Sequence, residues 1–141
     1  MEGRGFWVFT AVQVVAVLIL LWLLATWKAP WDVQRYVGTL LVVVGVFCIG
    51  VARYQLGRSF SIKPEAKQLV THGLYSKIRN PIYVFGVVMI LGFILVMRKP
   101  VLWIILVVVI VGQMIRARRE ARVLEAAFGD AYREYRRKTW F

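Results

Sequence analysis

The 141-residue chain is 60% hydrophobic, with a mean hydropathy of +0.67 and a formal charge of +12 from 19 Lys and Arg against 7 Asp and Glu. Soluble domains run nearer half apolar, and these apolar residues are gathered into blocks, so the composition points to an integral membrane protein. The cations border the blocks instead of forming one stripe, which sets nucleic acid aside as a partner despite the charge.

The first block, residues 6–27, holds no charged side chain over 22 residues, roughly 33 Å of helix at about 1.5 Å per residue. It is long enough to span and lacks a small-residue cleavage site, so it reads as a transmembrane helix and not as a signal peptide. The second block, 37–52, extends to Arg35 and Tyr54. It carries Gly38, Gly45 and Ala52 at seven-residue spacing, a small-residue face that lets another helix approach closely. Its Cys48 is the single cysteine of the chain and reads as core packing, with no disulfide partner and no metal-ligand spacing. Blocks 82–97 and 101–115 are separated only by Arg98, Lys99 and Pro100, which predicts a tight helical hairpin. Each is short for a full crossing, so either they borrow Ile78 and Ala117 at their inner ends or those ends sit in a recess at the cytoplasmic lip. Beyond them Ala121, Leu124, Phe128, Ala131, Tyr132 and Tyr135 recur at three- and four-residue steps among charges, the pattern of an amphipathic helix continuing from, or kinked against, the fourth span, with Gly129 as its weak point.

The predicted fold is therefore all-α and polytopic, because an open sheet edge cannot be satisfied in lipid. Four transmembrane helices are placed at about 6–27, 35–54, 81–97 and 101–116. A cytoplasmic loop follows the second at 55–80, a C-terminal cytoplasmic helix lies at 117–138, and the whole forms one membrane domain over 1–141. With that arrangement 15 Lys and Arg lie on one side and four, Lys28, Arg35, Arg98 and Lys99, on the other. The positive-inside rule then puts both termini and the 55–80 loop in the cytoplasm, where the cations also attract anionic membrane lipid.

Two polar clusters share that side. One is "KQLVTHGLYSKIRNPIY", ahead of the third span; the other is "RARRE", at the inner end of the fourth. Asn80-Pro81 reads as a helix start, Asn as N-cap and Pro pre-set for the first helical position. Tyr75 and Tyr83 flank it, suited to an interface belt or a pocket wall. Arg116 and Glu120 are one turn apart on one helix face, so they pair or jointly meet a ligand. His72, the only histidine, has no nucleophile, orienting acid or second metal ligand beside it in sequence and reads as a solvated loop residue.

Taken in order, Leu56-Gly57, "LVTHGLYSKIRNPIY", a helical hairpin and "RARREARVLEAAFGDAYREY" resemble the isoprenylcysteine carboxyl methyltransferase superfamily of small membrane methyltransferases. That superfamily also takes in the phospholipid N-methyltransferases. Its usual form is L-V-T-x-G-x-Y-x-x-x-R-H-P-x-Y, then after two spans R-x-R-x-E-E-x-x-L-x-x-x-F-G-x-x-Y-x-x-Y. The match covers about residues 53–136. Either motif alone is weak; the pair in this order is specific.

The resemblance implies S-adenosylmethionine (S-adenosyl-L-methionine) as methyl donor, held on the cytoplasmic side between the loop and the inner ends of the hairpin, with no metal. Carried over by position, Lys67, Gln68, Leu69, Val70 and Tyr75 would line the cofactor pocket. Asn80, Pro81 and Tyr83 stand in the His-Pro-x-Tyr positions, and Glu120 matches the cofactor-binding glutamate. Arg116 matches the arginine that orients the substrate carboxylate. Asn80 in place of His removes a titrating group from that position, and Ala121 replaces the second glutamate of the usual pair.

The implied function is methylation of a lipophilic acceptor, foremost carboxyl methylation of a prenylcysteine-type substrate. A phospholipid or small-molecule N- or S-methyltransferase is the alternative. A non-catalytic basic membrane module that binds anionic lipid or a partner is the reading from another class. A truncated relative of the membrane sterol reductases is disfavoured, because their additional spans are missing.

Overall fold

Five α-helices occur among the residues described by the computed structural model, which are 2–57 and 69–141, with side chains from residue 11 onward. They are α1 (Glu2–Thr26), α2 (Val33–Leu56), α3 (Pro81–Met97), α4 (Leu102–Phe128) and α5 (Asp130–Lys138), with a 3-10 turn at Gly73–Ser76. α2 begins where the Asp32 carboxylate accepts from the Arg35 backbone N–H at 3.0 Å, satisfying one of the unpaired donors of the first turn. It ends at Gly57, whose φ of 51° is a conformation that glycine adopts without steric cost.

The closest packing is antiparallel, α2 against α3. Gln34 Nε2 donates to the Leu95 carbonyl at 3.1 Å near one end, Gly38 faces Gly92 next, and Gly45 faces Met89 farther along. The small-residue face read from the sequence is therefore the face that α3 meets. Leu24, Val42 and Val96 form one core cluster beside this contact, while Ala52, Val70 and Tyr75 form a second toward the other end of α2. Cys48 is half-buried on α2 and free.

Arg35 is buried, 2% exposed, although it stands in the first turn of an otherwise apolar helix. Its guanidinium donates to the carbonyls of Leu24, at 2.8 Å, and Ala29, and stacks over the Trp31 ring with 3.9 Å to the centroid. The carbonyls at the end of α1 need donors, and a cation there also complements the helix dipole. Arg35 thus ties the end of α1 to the start of α2.

The hairpin turns at Arg98, which adopts a left-handed φ of 55° and ion-pairs with Asp32 across to the start of α2. α3 and α4 then run antiparallel, close enough that a Cβ on Gly86 would meet Gln113 at 3.5 Å.

The amphipathic segment expected over 117–138 continues from the fourth apolar stretch: α4 runs unbroken through Arg116 to Phe128, because nothing at 116–117 interrupts an i to i−4 ladder. Its break falls at Gly129, with φ 52°, the glycine that weakened the pattern. One expectation changes. Asn80 does occupy the N-cap position with Pro81 following, but its side chain makes no cap hydrogen bond; its backbone carbonyl starts the helix by accepting from Tyr83 N–H at 3.0 Å. By length and composition α2 is long and apolar enough to cross a bilayer. The apolar stretches Ala11–Thr26 and Pro81–Met97 are shorter.

Candidate active site

Tyr83 lies in the first turn of α3 and Glu120 two-thirds of the way along α4, where the antiparallel hairpin brings them together. The Tyr83 hydroxyl donates to Glu120 Oε1 at 2.5 Å. Arg116, one turn before Glu120, donates from Nε to the same oxygen at 3.2 Å and holds its guanidinium carbon 5.8 Å from the Tyr83 ring centroid. The Glu120 side chain keeps 25% of its surface exposed and Arg116 45%, so the trio is accessible to a ligand.

Tyr75 is buried beside this group. Burial, the neighbouring Tyr135 and the Glu120 charge together push its phenol well above the usual tyrosine range, which keeps it neutral. The 3-10 turn that carries it is built from Gly73, with φ 61°. A Cβ there would lie 2.3 Å from the Gln55 side chain, whose Oε1 accepts from Leu74 N–H at 2.8 Å. Glycine at 73 is therefore required by its backbone angle, and any Cβ there would also displace the Gln55 amide from Leu74 N–H.

The chain end closes the far side of the loop. Ile78 and Trp140 form a parallel bridge: Trp140 N–H donates to Lys77 at 3.0 Å, Arg79 N–H to Trp140 at 3.1 Å, and Asn80 N–H to the Phe141 oxygen at 2.9 Å. From α5 the buried Tyr135 hydroxyl donates to the Tyr75 carbonyl at 2.7 Å. Loop, hairpin and tail thus converge around Tyr75, Tyr83, Arg116 and Glu120. A family model described as phospholipid methyltransferase matches residues 33–131, which takes in all four.

The chain belongs to this family. It is a membrane methyltransferase. Neither the curated proteins nor the solved structures compared with it gave a match.

Of the positions singled out in the sequence, the methyltransferase brings Tyr75, Tyr83, Arg116 and Glu120 together. Asn80 and Pro81 sit at the start of α3 between the two tyrosines, Asn80 half-buried and Pro81 buried. Val70 is buried against Ala52 and Tyr75, and Leu69 beside it is half-buried, so Val70 shapes the wall through packing. Lys67 and Gln68 lie outside the described residues. His72 is exposed at the start of the 3-10 turn, with its carbonyl accepting from Tyr75 N–H.

Sequence reasoning missed Gln55, Tyr135 and the Trp140-Phe141 tail. Tyr135 had a signal in its repeat with Tyr132 on the helix face; Gln55 had none, since its partner is set only by the fold. Burial, with Tyr132 adding to it, pushes Tyr135 up to about 12. A raised tyrosine pKa contributes stability that is complete below the unfolded value near pH 10 and lost as pH climbs through the folded one. Thermal melting should therefore weaken between about pH 10 and 12. Tyr135→Phe should lower the neutral-pH melting temperature by about 4 °C for one buried hydrogen bond and flatten that alkaline decline. An unchanged alkaline decline in the variant would count against Tyr135 as its source.

Proposed function

We propose that this methyltransferase takes its methyl group from S-adenosylmethionine and delivers it to a lipophilic acceptor entering from the bilayer. The observation that carries the reading is the convergence of Tyr83, Arg116 and Tyr75 on Glu120. The residues fit such a donor: Glu120 is an accessible carboxylate able to accept from a ribose diol or an ammonium, and the aromatic faces of Tyr75 and Tyr83 favour a cation beside them. When bound, the donor supplies an electrophilic methyl on a sulfonium.

The chain's residues then align and shield. Val70, Tyr75 and Pro81 are buried and make a dry wall, and Tyr83 and Arg116 fix the Glu120 carboxylate through a shared oxygen. Arg116, more exposed than Glu120, is the cation that would orient an acceptor's carboxylate. A carboxylate arrives already ionised and needs no base, so alignment and electrostatics suffice. This favours carboxyl methylation of a prenylcysteine-type acceptor. A phospholipid amine is the second reading, favoured by the description of the matching family; it would have to shed a proton first.

The same reading places all four apolar helices across the bilayer, with the termini and the site on the cytoplasmic side. Exposed apolar side chains such as Leu18 on α1, Phe47 on α2 and Val108 on α4 support it, since water would leave them uncovered. The acceptor is decided by supplying donor labelled on its methyl group with either a prenylcysteine or phosphatidylethanolamine in vesicles. Methyl esters release label in mild base and methylamines do not. Base-labile label on the prenylcysteine is the expected outcome; base-stable label on the phospholipid would overturn the carboxylate assignment.

A further inference from the structure

The end of the molecule remote from Glu120 has a cavity of its own. It is open, about 620 Å³, and lies between the segment that follows α1 and the α3–α4 turn. Its walls include Trp27, Lys28, Met97, Arg98 and Lys99 and contain no acidic residue. The nearest acid to appear in a contact is Asp32, and that carboxylate already caps α2 and ion-pairs with Arg98. Lys28 and Lys99, both exposed, therefore bring two like charges to one concavity from two different segments. An anion between them would meet cations from both segments.

The surroundings decide what kind of anion. α3 runs 17 residues from Pro81 beside the Glu120 site to Met97 in the cavity wall, about 25 Å at 1.5 Å per residue and near the thickness of a hydrocarbon core. Trp31 and Trp103 are exposed at the same end, and Trp27 lines the cavity, the placement of an interfacial aromatic belt. Below them the flanks of α1, α2 and α4 are apolar and uncovered. A cationic concavity at headgroup depth, floored by Met97 and Trp27, matches a phosphate carrying acyl chains better than a soluble ion.

We propose that this cavity binds the headgroup of an anionic phospholipid in the leaflet opposite the Glu120 site, clamping the end of α1 to the α3–α4 turn. The site owes nothing to the methyl donor and stands independently of which acceptor is methylated.

The test compares the full chain in nanodiscs of phosphatidylcholine alone and of phosphatidylcholine mixed with phosphatidylglycerol, reading melting temperature and, by native mass spectrometry, retained phosphatidylglycerol. Wild type should melt higher with phosphatidylglycerol present. In Lys28→Gln/Lys99→Gln the rise should vanish, with retention down about 25-fold if each cation near a headgroup favours it about five-fold. In phosphatidylcholine alone, where no anionic headgroup is present to bind, the same variant should melt as wild type does. Lys28→Arg/Lys99→Arg should keep the rise, as should Arg136→Gln/Arg137→Gln on α5. A rise that survives in the double glutamine variant, or is absent from wild type, overturns the proposal. So does an equal rise produced by inorganic phosphate in neutral detergent, which would assign the cavity to a soluble anion.

Discussion

Glu120→Gln is expected to weaken S-adenosylmethionine binding by about 10- to 100-fold, measured calorimetrically on purified protein, while leaving the melting temperature close to wild type. Hydrogen bonds to a charged partner are worth about 1.5–3 kcal/mol, and 1.4 kcal/mol is a factor of ten. Glutamine keeps an oxygen that can accept from Tyr83 and Arg116, so the local frame survives and the loss reports on the charge facing the ligand. Arg116→Ala should divide differently. Its contact with Glu120 is a half-exposed i, i+4 pair, so removing it should change cofactor affinity by no more than about five-fold. Turnover should nonetheless fall by a factor of about 100 or more, the scale of losing a group that holds charge at a reacting centre. Equal effects of both substitutions on binding would merge the two roles, and no effect of either would remove this group of residues as the catalytic site.

The parts of this arrangement that could be read in the sequence are those written in local chemistry. The hairpin was legible because only Arg98, Lys99 and Pro100 separate two apolar runs, and the pairing of Arg116 with Glu120 because i and i+4 share a helix face. Pro81 fixed the start of α3 for the same local reason, whereas the cap itself came from the Asn80 backbone and not its side chain. Whether the charged segment continues α4 or kinks against it was left open by the sequence, because a change from apolar to charged residues does not itself interrupt the i to i−4 ladder; the break comes at Gly129. Contacts across long separations left no trace. The Tyr135 hydroxyl reaches a carbonyl 60 residues earlier, and the Trp140-Phe141 tail pairs with backbone at 77–80, bonds that any side chain would permit. Resemblance singled out Tyr83 and Glu120 one by one, and the hydrogen bond between them is a contact that only the fold reveals.

The second large effect lies in the fold that holds the site. A Cβ on Gly92 would sit 2.5 Å from the Gly38 carbonyl oxygen and 2.8 Å from Val42 N, and one on Gly38 would sit 2.7 Å from the Gly92 oxygen. Both obstacles are backbone, so no rotamer change relieves them and the two helices must separate. Gly92→Ala should therefore cost about 1–3 kcal/mol, the range for overpacked interiors, seen as a lower melting temperature in detergent. Gly50→Ala, on α2 with nothing within 4 Å of the added carbon, is the matched control. It should leave stability unchanged or raise it by up to about 1 kcal/mol, because alanine is the better helix former. The strain at Gly92 also travels along α3, whose first turn carries Tyr83 toward Glu120, so the variant should bind S-adenosylmethionine less tightly even though position 92 is remote from the site. If both alanine variants moved the melting temperature in the same direction and by the same amount, close helix contact would not be what sets the α2–α3 distance, and the alignment of Tyr83 on Glu120 would have to come from the loop and tail alone.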